Sequence, residues 1–125
     1  GNLAILYAET GRAREAEPLF IATVSDWTEA KSSMHPDTLT AVHNLAFFYA
    51  LSGKHEQAAE HFFDALKKRS KVLPPSHPGI RDTKEDFLSV INLLRSTGKT
   101  ELADMWKSKF EERQKTLEAE PDEQL

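Results

Sequence analysis

The sequence predicts an all-α fold in which antiparallel helix pairs stack into a solenoid, about three pairs long with a C-terminal capping helix. Three observations predict it. Asn2-Leu3-Ala4, Leu6-Tyr7 and Gly11 recur as Asn44-Leu45-Ala46, Phe48-Tyr49 and Gly53, each shifted by 42 residues. Within each copy the apolar residues recur at helical spacing. No segment reads as a strand.

Each element can be justified in turn. Pro36 stands where a helix should start, since its fixed φ suits the first helical position and its missing N–H costs nothing there. Asp37 follows, favourable beside the positive end of the helix dipole. Val42, Leu45, Ala46, Phe48 and Tyr49 then mark one helical stripe, and Gly53 ends the helix where φ > 0 is tolerated. Ala58, Ala59, Phe62, Phe63, Ala65 and Leu66 carry a second helix. Small residues at Ala46 and Ala58 let the two helices approach closely. The connection is only a few residues long, so the pair is antiparallel. His35-Pro36 recurs as His77-Pro78, Ala16 as Ala58 and Phe20 as Phe62. A weaker third copy has Val90, Leu93, Gly98 and Ala103, shifted by 45. The predicted helices are 2–10, 13–31, 36–52, 55–72, 79–97 and 99–118. Pro74-Pro75 and Pro78 punctuate the loop before the third pair. Tyr49, Ala58, Phe62 and Leu66, all at recurring positions, are the predicted core.

These motifs resemble the tetratricopeptide repeat: N-L-A-x-x-Y, then G-[KR], then an Ala five residues after the Gly. The ordinary repeat has about 34 residues. The 42-residue period and the H-P-D-T motif at 35–38 resemble the kinesin-light-chain variety, with its longer second helix. Lys71-Val72-Leu73 before Ser76-His77-Pro78 fits, although Pro74-Pro75 stands where a Gly is usual. The resemblance covers about residues 1–110 and speaks to fold more than to function.

The expected organisation is one repeat domain over 1–118, divided into a truncated first repeat (1–34), a second (35–76) and a third, capping repeat (77–118). The third departs from the pattern: Ser89 stands in place of Asn, Lys107 in place of an aromatic, and Phe110 in place of Ala65. Its last helix is heavily charged, as a terminal repeat with nothing stacked on it should be. Residues 119–125 are acidic, contain Pro121, and are expected to form a disordered tail. The shortened first repeat predicts exposed apolar surface around Leu3 and Leu6, and either self-association through that end or marginal stability.

Composition and motifs argue against most chemistry. The 125 residues are 39% apolar and 29% charged, with net charge −4 and no cysteine. A thiolate metal site and a disulfide framework are excluded, and a reducing, cytoplasmic setting is expected. No apolar run approaches the roughly 18 residues of a membrane span. The one basic cluster, Lys67-Lys68-Arg69 with Lys71, sits at a predicted helix C-terminus and reads as a complement to the dipole, not as a nucleic-acid site. His55 and His61 do not share a face, and no metal site, cofactor motif or phosphate-cradling glycine loop occurs. Trp27 and Trp106 read as packing residues. The chain is expected to have no enzymatic activity.

What the resemblance implies is a groove. The first helix of each pair lines the concave face, which places Asn2, Ile5 and Glu9, then Thr40, His43, Asn44, Phe47 and Leu51, then Glu85, Leu88, Asn92 and Arg95 on a candidate peptide-binding surface. Asn44 offers donor and acceptor to an extended backbone, while Phe47 and Leu51 suggest an apolar pocket unless Phe47 is core. With Arg95 the one basic residue there, a clamp for C-terminal carboxylates is not expected. The expectation is a module that binds a protein or peptide partner within a larger adaptor. The alternative is a structural spacer or oligomerisation segment of a multidomain protein, such as a motor light chain or a signalling ATPase.

Overall fold

A computed structural model describes residues 13–119, and all the secondary structure there is helical. Five helices follow in order: α1 (Ala13–Ala30), α2 (Pro36–Leu51), α3 (His55–Val72), α4 (Pro78–Ser96) and α5 (Thr100–Ala119). Each packs chiefly on its neighbours in sequence, and α2 also touches α4. The boundaries fall within about two residues of those expected. The first predicted helix, the groove residues Asn2, Ile5 and Glu9, the surface around Leu3 and Leu6, and nearly all of the acidic tail lie outside the described residues.

The helix ends follow from local chemistry. Pro36 and Pro78 open α2 and α4, and the residue before each is the cap. Nδ1 of His35 accepts the Asp37 N–H at 3.1 Å, and Nδ1 of His77 accepts the Gly79 N–H at 2.9 Å. The repeated His-Pro pair is therefore one device in two halves. The histidine satisfies an otherwise orphaned N–H, and the proline supplies helical φ where no N–H is required. Gly53 and Gly98 end the same two helices at φ +80° and +87°. Lys54 N–H returns to Tyr49 O at 2.9 Å and Lys99 N–H to Leu94 O at 2.8 Å. These are the six-to-one bonds of a Schellman motif, which a left-handed residue makes possible.

The core runs the length of the stack. Ala16, Ala58 and Ala103, the alanines five residues after each glycine, are fully buried. Tyr49, Phe62 and Leu66 are buried with them, as expected. Phe20 of α1 stacks on Phe48 of α2 at 5.0 Å between ring centroids. In the next layer Phe87 of α4 meets Phe63, Trp106 and Phe110 at 5.5, 6.2 and 5.8 Å. The departures of the third copy have a packing reason here. Phe87 replaces the smaller Val42, and Phe110 replaces Ala65, while the aromatic of Phe62 becomes the exposed Lys107. The ring volume is moved and not lost, as dense interiors require.

The change of shift from 42 to 45 also has a location. Both His-Pro pairs start a helix, but α2 has 16 residues and α4 has 19. The three additional residues lie inside the first turns of α4. Beyond them Thr83, Phe87, Val90, Ile91 and Leu94 take the buried places of Thr38, Val42, Leu45, Ala46 and Tyr49.

Candidate functional site

The first helices α2 and α4 carry all the described groove candidates. Phe47 and Leu51 are 47% and 59% exposed, one turn apart on α2. The core of that helix is complete without them, so Phe47 is not a core residue. Asn44 is half-buried, and Leu88 and Asn92 of α4 are exposed. Neither asparagine side chain is engaged by a neighbour among the described residues. Thr40 is exposed, but its hydroxyl donates to Pro36 O at 3.0 Å and accepts from Arg69 at 3.2 Å. Arg95 pairs with Asp104 of α5 at 2.7 Å, so its charge is already answered within the chain.

His43 is committed elsewhere. Its ring is half-buried and meets Phe62 edge-on at 5.2 Å. Nε2 lies 2.9 Å from Asp86 Oδ2 and Nδ1 lies 3.1 Å from Thr83 Oγ1, both on α4. Arg69 of α3 completes the cluster. The residue is 9% exposed, and its guanidinium donates to Thr83 Oγ1 at 2.7 Å and to Gly79 O at 3.0 Å. A polar seam thus joins α2, α3 and α4. Helical spacing had placed His43 in the groove, whereas the seam holds it between repeats. Arg69 was not singled out as a buried residue, yet Ala58, Phe62, Leu66 and Arg69 form one stripe at four- and three-residue steps. That stripe was the available signal.

The hydrogens of the seam can be arranged around a neutral imidazole. Arg69 Nη1 offers two, which go to Gly79 O and Thr83 Oγ1. The single Thr83 hydroxyl hydrogen is within reach of both Gly79 O, at 2.8 Å, and Nδ1 of His43, and when it is given to Nδ1, Nε2–H donates to Asp86. Such a histidine is neutral. Burial holds its pKa below the ordinary 6.5, with the Arg69 charge in support and Asp86 and Asp82 in opposition. Burial also lowers Arg69, with Asp82 opposing. The Thr83–His43–Asp86 order resembles that of a nucleophile triad. But Thr83 is fully buried and its oxygen is already held by Arg69, so no substrate reaches it. The arrangement positions helices.

Among the described residues no three His, Asp or Glu side chains converge as metal ligands, and no helix there is long and apolar enough to cross a membrane. The basic cluster divides by role. Arg69 belongs to the seam, Lys68 pairs with Asp64 at 3.1 Å, and Lys67 lies over the Phe63 ring at 5.4 Å.

Comparison with known proteins agrees with this architecture. Two crystal structures of nearly identical TPR-like repeats, from a Podosopora anserina protein assigned as a kinesin light chain, superpose with TM-scores of 0.70 and 0.69. One of the two is a glutamine-to-methionine variant. Each is 24% identical to this chain, with 84% of this chain and 48% of theirs covered. At that identity the likeness is one of fold, and this chain spans about half their length. No curated protein matches it. The model of the tetratricopeptide repeat matches residues 1–71, more than half of the sequence, and the chain belongs to that family.

Proposed function

We propose that the chain is a protein-interaction module that holds an extended partner segment along the first helices, with Phe47 and Leu51 as apolar anchor. The observation that carries this reading is the exposure of those two side chains, 47% and 59%, on a helix whose core is complete without them. Large apolar residues side by side on a free surface mark interaction sites. Asn44 supplies backbone hydrogen bonds beside the anchor, and Leu88 and Asn92 extend the surface onto α4. His43 and Arg95 support it indirectly, the first by fixing α4 against α2, the second by pinning α4 to α5. Tetratricopeptide repeats generally mediate protein–protein contacts, which fits.

The test selects peptides from a random display library on the purified chain and measures their affinity. Interface energy concentrates in few anchors, so Phe47→Ala should weaken selected peptides by about 2 kcal/mol while Tm stays within a degree or two. Asn44→Ala should weaken them less. If Phe47→Ala melts early and Asn44→Ala binds normally, the groove reading fails.

A further inference from the structure

The second helices carry a feature that the groove does not use. Between α3 and α5 opens a cleft of about 310 Å³, lined by Phe63 and Lys67 of α3 and by Lys109, Glu112 and Arg113 of α5. Three cations meet one carboxylate there, in a chain of net charge −4. None of the three is ion-paired among the described residues. Lys67 Nζ lies 5.4 Å from the Phe63 ring and Lys109 Nζ lies 4.9 Å from the Trp106 ring. The two rings are 5.6 Å apart and tilted by 57°, so the ammonium groups rest on two adjoining aromatic rings.

Arg113 is the sharper observation. Its Nη2 donates to Lys67 O at 3.1 Å, which ties α5 to α3. Its Nε is buried and finds no partner. Burial alone pushes the guanidinium pKa down, with no acid opposing it. Arg69 differs, because Nη1 and Nη2 of its guanidinium both find acceptors. A buried donor without a partner is costly and calls for an acceptor.

We propose that this cleft binds a phosphate monoester carried on an aromatic or apolar stem. Three positive charges against the single negative charge of Glu112 match a dianion, and a phosphate monoester carries about −1.5 to −2 at neutral pH. A carboxylate would leave one cation uncompensated. A phosphoryl group has three acceptor oxygens, enough for the Arg113 guanidinium that lines the cleft and for both ammonium groups. Phe63 gives the stem an apolar wall. Free phosphate and a phosphorylated side chain of a partner share this chemistry.

The experiment is a nuclear magnetic resonance titration of the full chain, following the Arg113 Nε–H signal. The probes are inorganic phosphate, phenyl phosphate and benzoate. Phenyl phosphate should give saturable shifts at Arg113 and bind tighter than inorganic phosphate, with benzoate weakest. Equal affinity for phenyl phosphate and inorganic phosphate would mark the free ion as the ligand and overturn the stem. Lys67→Gln combined with Lys109→Gln, both exposed positions, should lower the phenyl phosphate affinity by about tenfold. Phe47→Ala should leave it unchanged, so this site and the groove stand or fall separately. Unsaturable shifts, equal affinity for benzoate, or undiminished binding by the double variant would overturn the site. An oligonucleotide phosphodiester binding as tightly as phenyl phosphate would overturn it too.

Discussion

Helices α2 and α4 are copies of one element placed in different surroundings. In α2 the buried residues are Thr38, Leu39, Ala41, Val42, Leu45, Ala46, Phe48 and Tyr49, which leaves one narrow face free. In α4 they are Thr83, Phe87, Val90, Ile91 and Leu94, a single stripe. The difference is one of neighbours. The two helices touch each other, and each packs mainly on the helices before and after it, but the packing around α2 is the more extensive. In a stacked array, a repeat's sequence records how many sides it must cover. An exposed apolar residue therefore carries more meaning on α2 than on α4, because α2 has so little surface to spare. Phe47 stands out for that reason.

The comparison is most easily broken at the matching positions Phe48 and Leu93. Phe48 is 2% exposed and stacks on Phe20, while Leu93 is 39% exposed. Phe48→Ala should cost about 3–5 kcal/mol in a urea titration. Leu93→Ala should cost under about 1 kcal/mol. Similar losses at the two positions would show that α4 is as enclosed as α2.

The seam between the two helices comes next. Arg69→Met keeps most of the side-chain volume but removes the donors to Thr83, Gly79 and Thr40. A loss of about 2–3 kcal/mol is expected, since buried acceptors are left without partners. Equilibrium denaturation measures it, and a neutral result would mean that the seam is hydrated and loose.

The loops that lead into the two helices also differ. Ser32, before α2, has φ 133°, and the loop before α4 has no such residue. Positive φ strains any side chain, so Ser32→Gly should gain about 1 kcal/mol, less whatever the weak 3.3 Å bond from Met34 N–H to Ser32 Oγ contributes. A drop in Tm would show that this bond outweighs the strain.

Titration separates the two helices as well, because His43 of α2 corresponds to Leu88 of α4. The folded pKa of His43 lies below 6.5, so the unfolded chain binds the extra proton first as pH falls. The stability linked to this group is fully present above pH 6.5 and is lost as pH falls through 6.5 towards the depressed folded value. Urea midpoints measured at pH 7.5 and 5.5 should therefore drop for the parent chain and drop less for His43→Gln. Parallel curves would show that His43 titrates as a free imidazole.

Much of this architecture was legible in the sequence, because repetition reports the core directly. Tyr49, Ala58, Phe62 and Leu66 recur because the same packing problem recurs, and the helix ends were readable from Pro36, Gly53 and Gly98. The seam was not legible. His43 shares a helical face with Thr40, Asn44 and Phe47, and spacing alone cannot say which member another helix will cover. What covers it is the start of α4, displaced by three residues relative to α2, so that Thr83 and Asp86 arrive opposite His43. The pairing of Arg95 with Asp104 was hidden for the same reason: it depends on how α5 returns along α4.

The polar seam has a consequence for modularity. Repeat arrays are often treated as strings of exchangeable units, each compatible with the next. Here the unit that follows Arg69 must provide particular side chains. In the register of the buried residues, Thr83 corresponds to Thr38 but Asp86 corresponds to Ala41. A chain in which the second repeat was followed by another copy of itself would keep the threonine and forfeit the carboxylate that orients His43. Order along this array is therefore written into its interior, and duplicating or transposing a repeat is not a neutral event.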